Sequence, residues 1–172
     1  MEKSVCCTCL KPKATLECGA CKESVCKNCA QFLEEGSFSF LAKVPEQLSH
    51  GTYCSNCFDT HVSAELADYT HTLELAKDIH IFENDQGKET RFFNRKEKPL
   101  KVENCADRED VFLRLGFLAA KAGFNTLIDV AVTYEKVVSG TYKTHKWKGS
   151  GVPTNVAEAR LNRKSNLKSP SR

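Results

Sequence analysis

Long apolar runs are missing from this chain. No stretch approaches the roughly 18–20 consecutive apolar residues that a bilayer-spanning helix needs. The opening MEKSVCCTCL lacks both the basic flank and the apolar centre of a secretory leader. The expectation is a cytoplasmic protein, in a compartment where thiols stay reduced or metal-bound and disulfides do not hold the fold. Catalytic sets are wanting too. There is no Ser/His/Asp arrangement, and Asp129 and Glu135 have neither a matched base nor a second acid beside them. GSGVP, residues 149–153, is too short and too late in the chain to be a phosphate loop. His50, His61, His71, His80 and His145 form no H-x3-H pair, and nothing repeats. These absences point away from an enzyme and towards a protein that binds.

What the chain has in excess is cysteine, and only at one end. Cys6, Cys7, Cys9, Cys18, Cys21, Cys26, Cys29, Cys54 and Cys57 lie in the first third, with Cys105 alone beyond them. This shift in composition within 172 residues divides the chain into two units. The net charge of +3 divides as well: residues 1–60 carry six basic and seven acidic residues, residues 81–172 eighteen and eleven.

Four segments follow. Residues 1–60 form a cysteine-rich module. A linking helix at 61–82 continues a stripe of Phe58, Val62, Leu66, Tyr69, Leu73, Ala76 and Ile79, spaced by three and four. The turn-rich ENDQGK at 83–88 marks the boundary of a small α/β domain at 88–158. Within it, ETRFFNRKEKPLKV reads as one or two short strands. CADREDVFLRLGFLAAKAGF reads as a helix capped by Asp107, with Asp110 three residues on and Gly123 at its end. NTLIDVAVTYEKVV alternates, with Ile128, Val130, Val132 and Tyr134 on one face, and TYKTHKWKGSGV pairs back after a Ser139-Gly140 turn. The architecture expected is a helix packed on a small antiparallel sheet. Residues 159–172, basic and poor in apolar side chains, are expected to be a disordered tail.

The cysteines fall into four pairs, Cys6/Cys9, Cys18/Cys21, Cys26/Cys29 and Cys54/Cys57, each with two residues between. Such a gap lets a tight turn aim two sulfurs at one ion, and two turns complete a tetrahedral site of four thiolates. One pair alone would also suit a thiol oxidoreductase, but four within sixty residues point to structural zinc. Eight thiolates and two divalent ions would bring the charge of the module to about −5. Neighbouring pairs could make successive sites, or alternate pairs could interleave.

The intervals between pairs are eight, four and twenty-four residues. With the four-residue central gap, the final C-x-x-C-Phe and the helix that follows at once, CTCLKPKATLECGACKESVCKNCA … GTYCSNCFDTHV resembles a FYVE-type zinc finger of the FYVE/PHD/RING class over residues 4–65. That resemblance implies a small cross-braced finger with two zinc ions, followed by the α+β domain. It implies Cys6, Cys9, Cys26 and Cys29 for one ion and Cys18, Cys21, Cys54 and Cys57 for the other.

The likeness stops at the ligand site. FYVE domains that bind phosphatidylinositol 3-phosphate carry an acidic-aromatic motif before the first pair, a basic run before the second and an arginine before the fourth. Here those places read MEKSV, Ala14-Thr15-Leu16-Glu17 and Thr52-Tyr53. An acidic module without those cations should repel an anionic head group. RING fingers usually have a two-residue central gap and a histidine ligand, neither of which is present. The reading is a zinc-binding protein-interaction adaptor. A RING-like ubiquitin-ligase module, a phosphoinositide-binding protein and a nucleic-acid binder acting through the basic C-terminal half are the alternatives.

Remaining candidates have simpler readings. Cys7 is a spare thiol beside a site, Cys105 a semi-buried apolar residue, and His61 a histidine near a ligand set already full. GSFSFLAKVP, residues 36–45, is a strand covering the core of the finger, or else an exposed partner loop. The second half, through AAKAGFNTLIDVAVTYEKV … KWKGSGVP, resembles small bacterial α/β domains described as heavy-metal-binding-like. It holds no ligand cluster, so no metal site is implied there.

Overall fold

The structure is a computed structural model describing residues 4–12, 14–139 and 142–162. The chain divides into two compact units, Met1–His71 and Thr72–Arg172. No helix among the described residues is long and apolar enough to cross a membrane.

The first unit contains two minimal antiparallel ladders. β1 (Leu16–Glu17) pairs with β2 (Ser24–Val25), and β3 (Ala30–Phe32) pairs with β4 (Thr52–Cys54). Its apolar interior is a handful of side chains, among them Val25, Phe38, Leu48, Tyr53, Val62 and Tyr69. Tyr53 is fully buried, and its hydroxyl donates to Gln47 O at 2.9 Å and accepts the His50 N–H at 3.0 Å. Residues 36–45 are turns, not the strand expected from the sequence. Gly36, at φ +84°, opens them, and Phe38 packs edge-on against Tyr69 at 5.2 Å. Phe38 is buried and Phe40 half-buried, and inward burial at i and i+2 does not by itself separate a strand from a folded-back turn.

After β4 the chain turns directly into helix: α1 (Ser55–Cys57), a π-helical turn (Phe58–Val62) and α2 (Ser63–Lys77). Every position of the predicted stripe from Phe58 to Ile79 is buried or half-buried. The helix does not reach 82, because Ile79 already leaves it and His80–Glu83 form a strand, β5.

In the second unit β5 joins β6 (Leu100–Cys105), β7 (Thr126–Ser139) and β8 (Tyr142–Thr154) in one sheet of order β5-β7-β8-β6. The sheet is mixed. β6, β8 and β7 run antiparallel as the sequence suggests, but β5 pairs parallel to β7. The run His80-Ile81-Phe82 is too short to announce itself as a strand. Packing holds it in place, with Ile81 against the core and Phe82 edge-on to Phe93 at 5.6 Å. Residues 89–99 are irregular, so the strand expected in that stretch is confined to its end.

α3 (Arg108–Lys121) lies on one face of this sheet. Asp107 caps it by accepting the Asp110 N–H at 2.7 Å, and Gly123, at φ +80°, follows its end. Val111, Leu115 and Ala119 meet Val102, Cys105, Leu127 and Val130 in the core. The approach is close: a Cβ on Gly149 would stand 2.3 Å from Val111 Cγ1.

β7 does not alternate as read. A register shift between Ile128 and Ala131, with Asp129 at φ +52°, inserts a bulge. Leu127 and Val130 both reach the core beside α3, while Ile128 is buried without joining that cluster. Arg95 holds the bulge, its Nε and Nη2 donating to the two Asp129 carboxylate oxygens at 2.7 and 3.1 Å. Its Nη1 donates to Thr90 O at 2.9 Å.

The Ser139-Gly140 turn falls partly on residues outside those described. Where a disordered tail was expected from 159, Glu158–Asn162 form a short helix, α4. Asn125 anchors the chain just before it, donating to Val156 O at 2.8 Å and accepting the Val156 N–H at 2.9 Å. Residues 163–172 of the expected tail lie outside the described residues.

Candidate metal centres

The two-residue gap shapes each site from the backbone outward. The N–H of Leu10 donates to Cys6 O, and that of Lys22 to Cys18 O, each at 2.9 Å. Both turns close with the residue after the second cysteine in the left-handed region, Leu10 at φ 59° and Lys22 at φ 63°. For a non-glycine residue that conformation costs roughly 1–2 kcal/mol. In the third pair the N–H groups of Cys29 and Ala30 both donate to Cys26 O at 3.0 Å. The fourth spans the start of α1, with Cys54 as its N-cap.

Backbone hydrogen bonds then bring the pairs together: the Cys7 N–H donates to Ser24 O, near the third pair, and the Gly19 N–H to Thr52 O, near the fourth, each at 2.8 Å. Cys18 follows Glu17 on β1 and Cys26 follows Val25 on β2, so the two leave an antiparallel ladder at opposite ends. Ala30 lies opposite Cys54 in the second ladder, and the Ser55 hydroxyl donates to Cys29 O at 3.1 Å. Both groups are thereby stitched into one frame.

The sulfurs of Cys6, Cys9, Cys26 and Cys29 lie within 4.8 Å of one another, as do those of Cys18, Cys21, Cys54 and Cys57. The first pair therefore meets the third and the second meets the fourth. Four sulfurs about 2.3 Å from a central ion would be separated by about 3.8 Å along each tetrahedral edge. Cys9 and Cys26 stand 3.8 Å apart, and Cys21 and Cys54 3.9 Å. All ten cysteines are free thiols. The donor sets fit a tetrahedral, thiophilic divalent ion.

The surroundings prepare some of these sulfurs for ionisation and resist others. Backbone N–H groups of Cys9 and Cys26 pull the Cys6 thiol from its ordinary 9.0 down to about 6, and the Cys26 N–H reaches Cys6 Sγ at 3.3 Å. Burial pushes Cys18 up, but the N–H groups of Cys21, Cys54 and Ala20 outweigh it and leave the thiol at about 6. The neighbouring Cys26 and Cys9 thiols push Cys29 up to about 12, and burial raises Cys21 and Cys57. One thiolate per group is easy and four together are not. A bound cation removes that conflict.

The other sequence candidates fall where packing needs them. Cys7 is half-buried and belongs to neither group, with burial pushing its thiol up to about 11. Cys105 is buried in the core of the second unit, which raises its thiol. His61 is exposed and outside both groups. Asp129 pairs with Arg95, and Glu135 pairs with Lys148 across the β7–β8 ladder. Sequence reasoning missed the left-handed Leu10 and Lys22, although a position just after C-x-x-C was the signal. It also missed the tie from Ser55, which only the pairing of distant strands reveals.

Compared with known families, with characterised proteins and with solved structures, the chain has no significant match. The class defined by fold and site rests on geometry: a protein with two four-cysteine groups able to hold metal ions, followed by a helix and a mixed sheet carrying a helix on one face.

Proposed function

We propose that this chain is a cytoplasmic zinc-binding protein-interaction adaptor built on a cross-braced, FYVE-like finger, with zinc in a structural role. The observation that carries the reading is the interleaved convergence of eight sulfurs into two closed groups. All-thiolate tetrahedral donors suit zinc, and four sulfurs leave no position for a reacting water. The helix that follows the fourth pair without a loop supports the FYVE-like likeness.

The finger meets its partner through acidic surface. A concavity of about 470 Å³ is lined by Leu33, Glu34, Glu35, Phe38, Leu48 and His50. Glu34 and Glu35 are exposed there, and two zinc-bound tetrathiolate groups would add net negative charge to the same unit. A basic peptide segment fits this chemistry, and an anionic head group does not.

Metal analysis of the chain purified under reducing conditions should find about two zinc ions. Basic peptides should bind the zinc-loaded chain and lose affinity when Glu34 and Glu35 are both changed to Lys. Co-sedimentation with vesicles containing phosphatidylinositol 3-phosphate, or discharge of ubiquitin from a loaded carrier enzyme, would replace this reading with the membrane or ligase alternative.

A further inference from the structure

We propose that the outer part of the β7–β8 hairpin binds single-stranded nucleic acid, using Tyr134, His145 and Trp147 as a stacking platform and Lys136 as its first phosphate contact. The proposal does not depend on the zinc reading, since all these residues lie in the second unit.

Register places the platform. Tyr134 is directly opposite Trp147, and Lys136 is opposite His145. Directly opposed residues share a face, and residues two apart on one strand share it too. One face therefore presents Trp147, Tyr134, His145, Lys136 and Val138 in order along the hairpin. Tyr134 sits 5.0 Å from Trp147 at 42° and 5.0 Å from His145 at 80°.

The inner end of this face is anchored. Trp147 pairs with Cys105 of β6 and packs against the core, as does Val132. Beyond them the hairpin leaves the core, for Thr133–Lys136 and Thr144–Lys146 are all exposed. Tyr134 is 51% exposed and Val138 63%. Trp147 packs against the core and Tyr134 beside it is half exposed, so a core-supported aromatic pair opens to solvent. It is well prepared to stack a planar ligand.

Charge selects the ligand. Residues 133–148 carry four lysines and one acid, but Lys146 and Lys148 lie off the aromatic face, opposite Glu135 and Thr133. That acid, Glu135, lies on the opposite face, tied to Lys148. Among the described side chains, the charged group that register places on the aromatic face is Lys136, beside His145. Flat rings ending in a lysine match the unstacked bases and phosphates of a single strand. In a duplex, bases already stacked on one another could not reach the rings.

Trp147 is the only tryptophan, so its fluorescence reads the platform directly in the full, zinc-loaded chain. Titration with a short oligothymidylate should give saturable quenching, with affinity falling steeply as salt rises. Tyr134→Ala should weaken binding by about tenfold to a hundredfold, while Tyr134→Phe keeps the ring and the affinity. Lys136→Glu should weaken binding and lower the salt slope by about one to two. Circular dichroism and metal content of each variant check that the fold is intact.

The proposal is overturned if no saturable quenching occurs, or if Tyr134→Ala binds like the parent. Heparin binding as tightly with the same fluorescence response would reduce the hairpin to a general polyanion site. A duplex of the same length binding more tightly than the single strand would exclude base stacking. Self-association abolished by Tyr134→Ala, without oligonucleotide binding, would assign the platform to a second copy of this chain.

Discussion

Buried apolar side chains do different amounts of work in the two units. In Thr72–Arg172 they gather on one sheet face, where Val111, Leu115 and Ala119 of α3 meet Val102, Leu127 and Val130. In Met1–His71 no comparable layer forms among the described residues. The strands there are two or three residues long. The buried positions include ligand-type cysteines themselves: Cys6, Cys18, Cys54 and Cys57. A region of this size with so few buried apolar side chains is marginal by burial alone, and metal ligation is a common support. The comparison sets a unit held by area removed from water beside one whose eight sulfurs converge into two groups able to hold metal ions.

Chelation is the strongest way to break that comparison. Stripping metal under reducing conditions should unfold Met1–His71 and spare the β5–β8 sheet, because a structural zinc site contributes on the order of 10 kcal/mol or more. Hydrogen exchange on the full chain would separate the two responses, and protection retained in both units would contradict a structural role for the metal.

Acid should produce the same division. A thiol whose pKa is lowered on folding contributes stability that is complete above its ordinary 9.0 and lost as pH falls through about 6, which applies to Cys6 and Cys18. Metal content followed against pH should therefore drop across that region, with the sheet unaffected. The raised Cys29 acts oppositely in the metal-free chain, where its contribution is complete below 9.0 and lost as pH rises towards about 12.

Smaller effects sharpen the contrast from the other side. Leu115→Ala, at a site with no exposure, should cost about 2–5 kcal/mol in the thermal unfolding of the second unit and leave metal content unchanged. Gly149→Ala forces a methyl group against Val111 and should cost about 1–3 kcal/mol in denaturant titration. The smallest change expected is a gain. Leu10 is 75% exposed and holds a left-handed turn, so Leu10→Gly should tighten metal binding by about 0.5–1 kcal/mol, read by competition with a chelator.

Legibility followed the range of the interactions. The stripe from Phe58 to Ile79, the Asp107 cap and the Gly123 end were readable because each depends on neighbours within a turn or two. The cysteine pairs were readable for the same reason. β5 was not, because a run as short as His80–Glu83 becomes a strand only when Thr126–Val130 lies beside it. Nor was the bulge at Asp129, since a left-handed residue there depends on Arg95 arriving from thirty-four positions away. Tyr134 read as a core residue by alternation, yet the hairpin outruns the core and leaves it half exposed.

Residue order alone determined that thiols come in turns able to grip metal, that a helix follows them, and that charge is divided along the chain. Those are consequences of spacing and composition, which act locally. Which turns could share an ion was decided only by long-range backbone pairing: the Cys7 N–H on Ser24 O brings Cys6 and Cys9 towards Cys26 and Cys29, and the Gly19 N–H on Thr52 O brings Cys18 and Cys21 towards Cys54 and Cys57. The same holds for the aromatic face of the hairpin, where Tyr134 and Trp147 become one surface through cross-strand register. In both cases distant residues acquire a joint chemistry because hydrogen-bonded pairing fixes their separation, and no local preference carries that information.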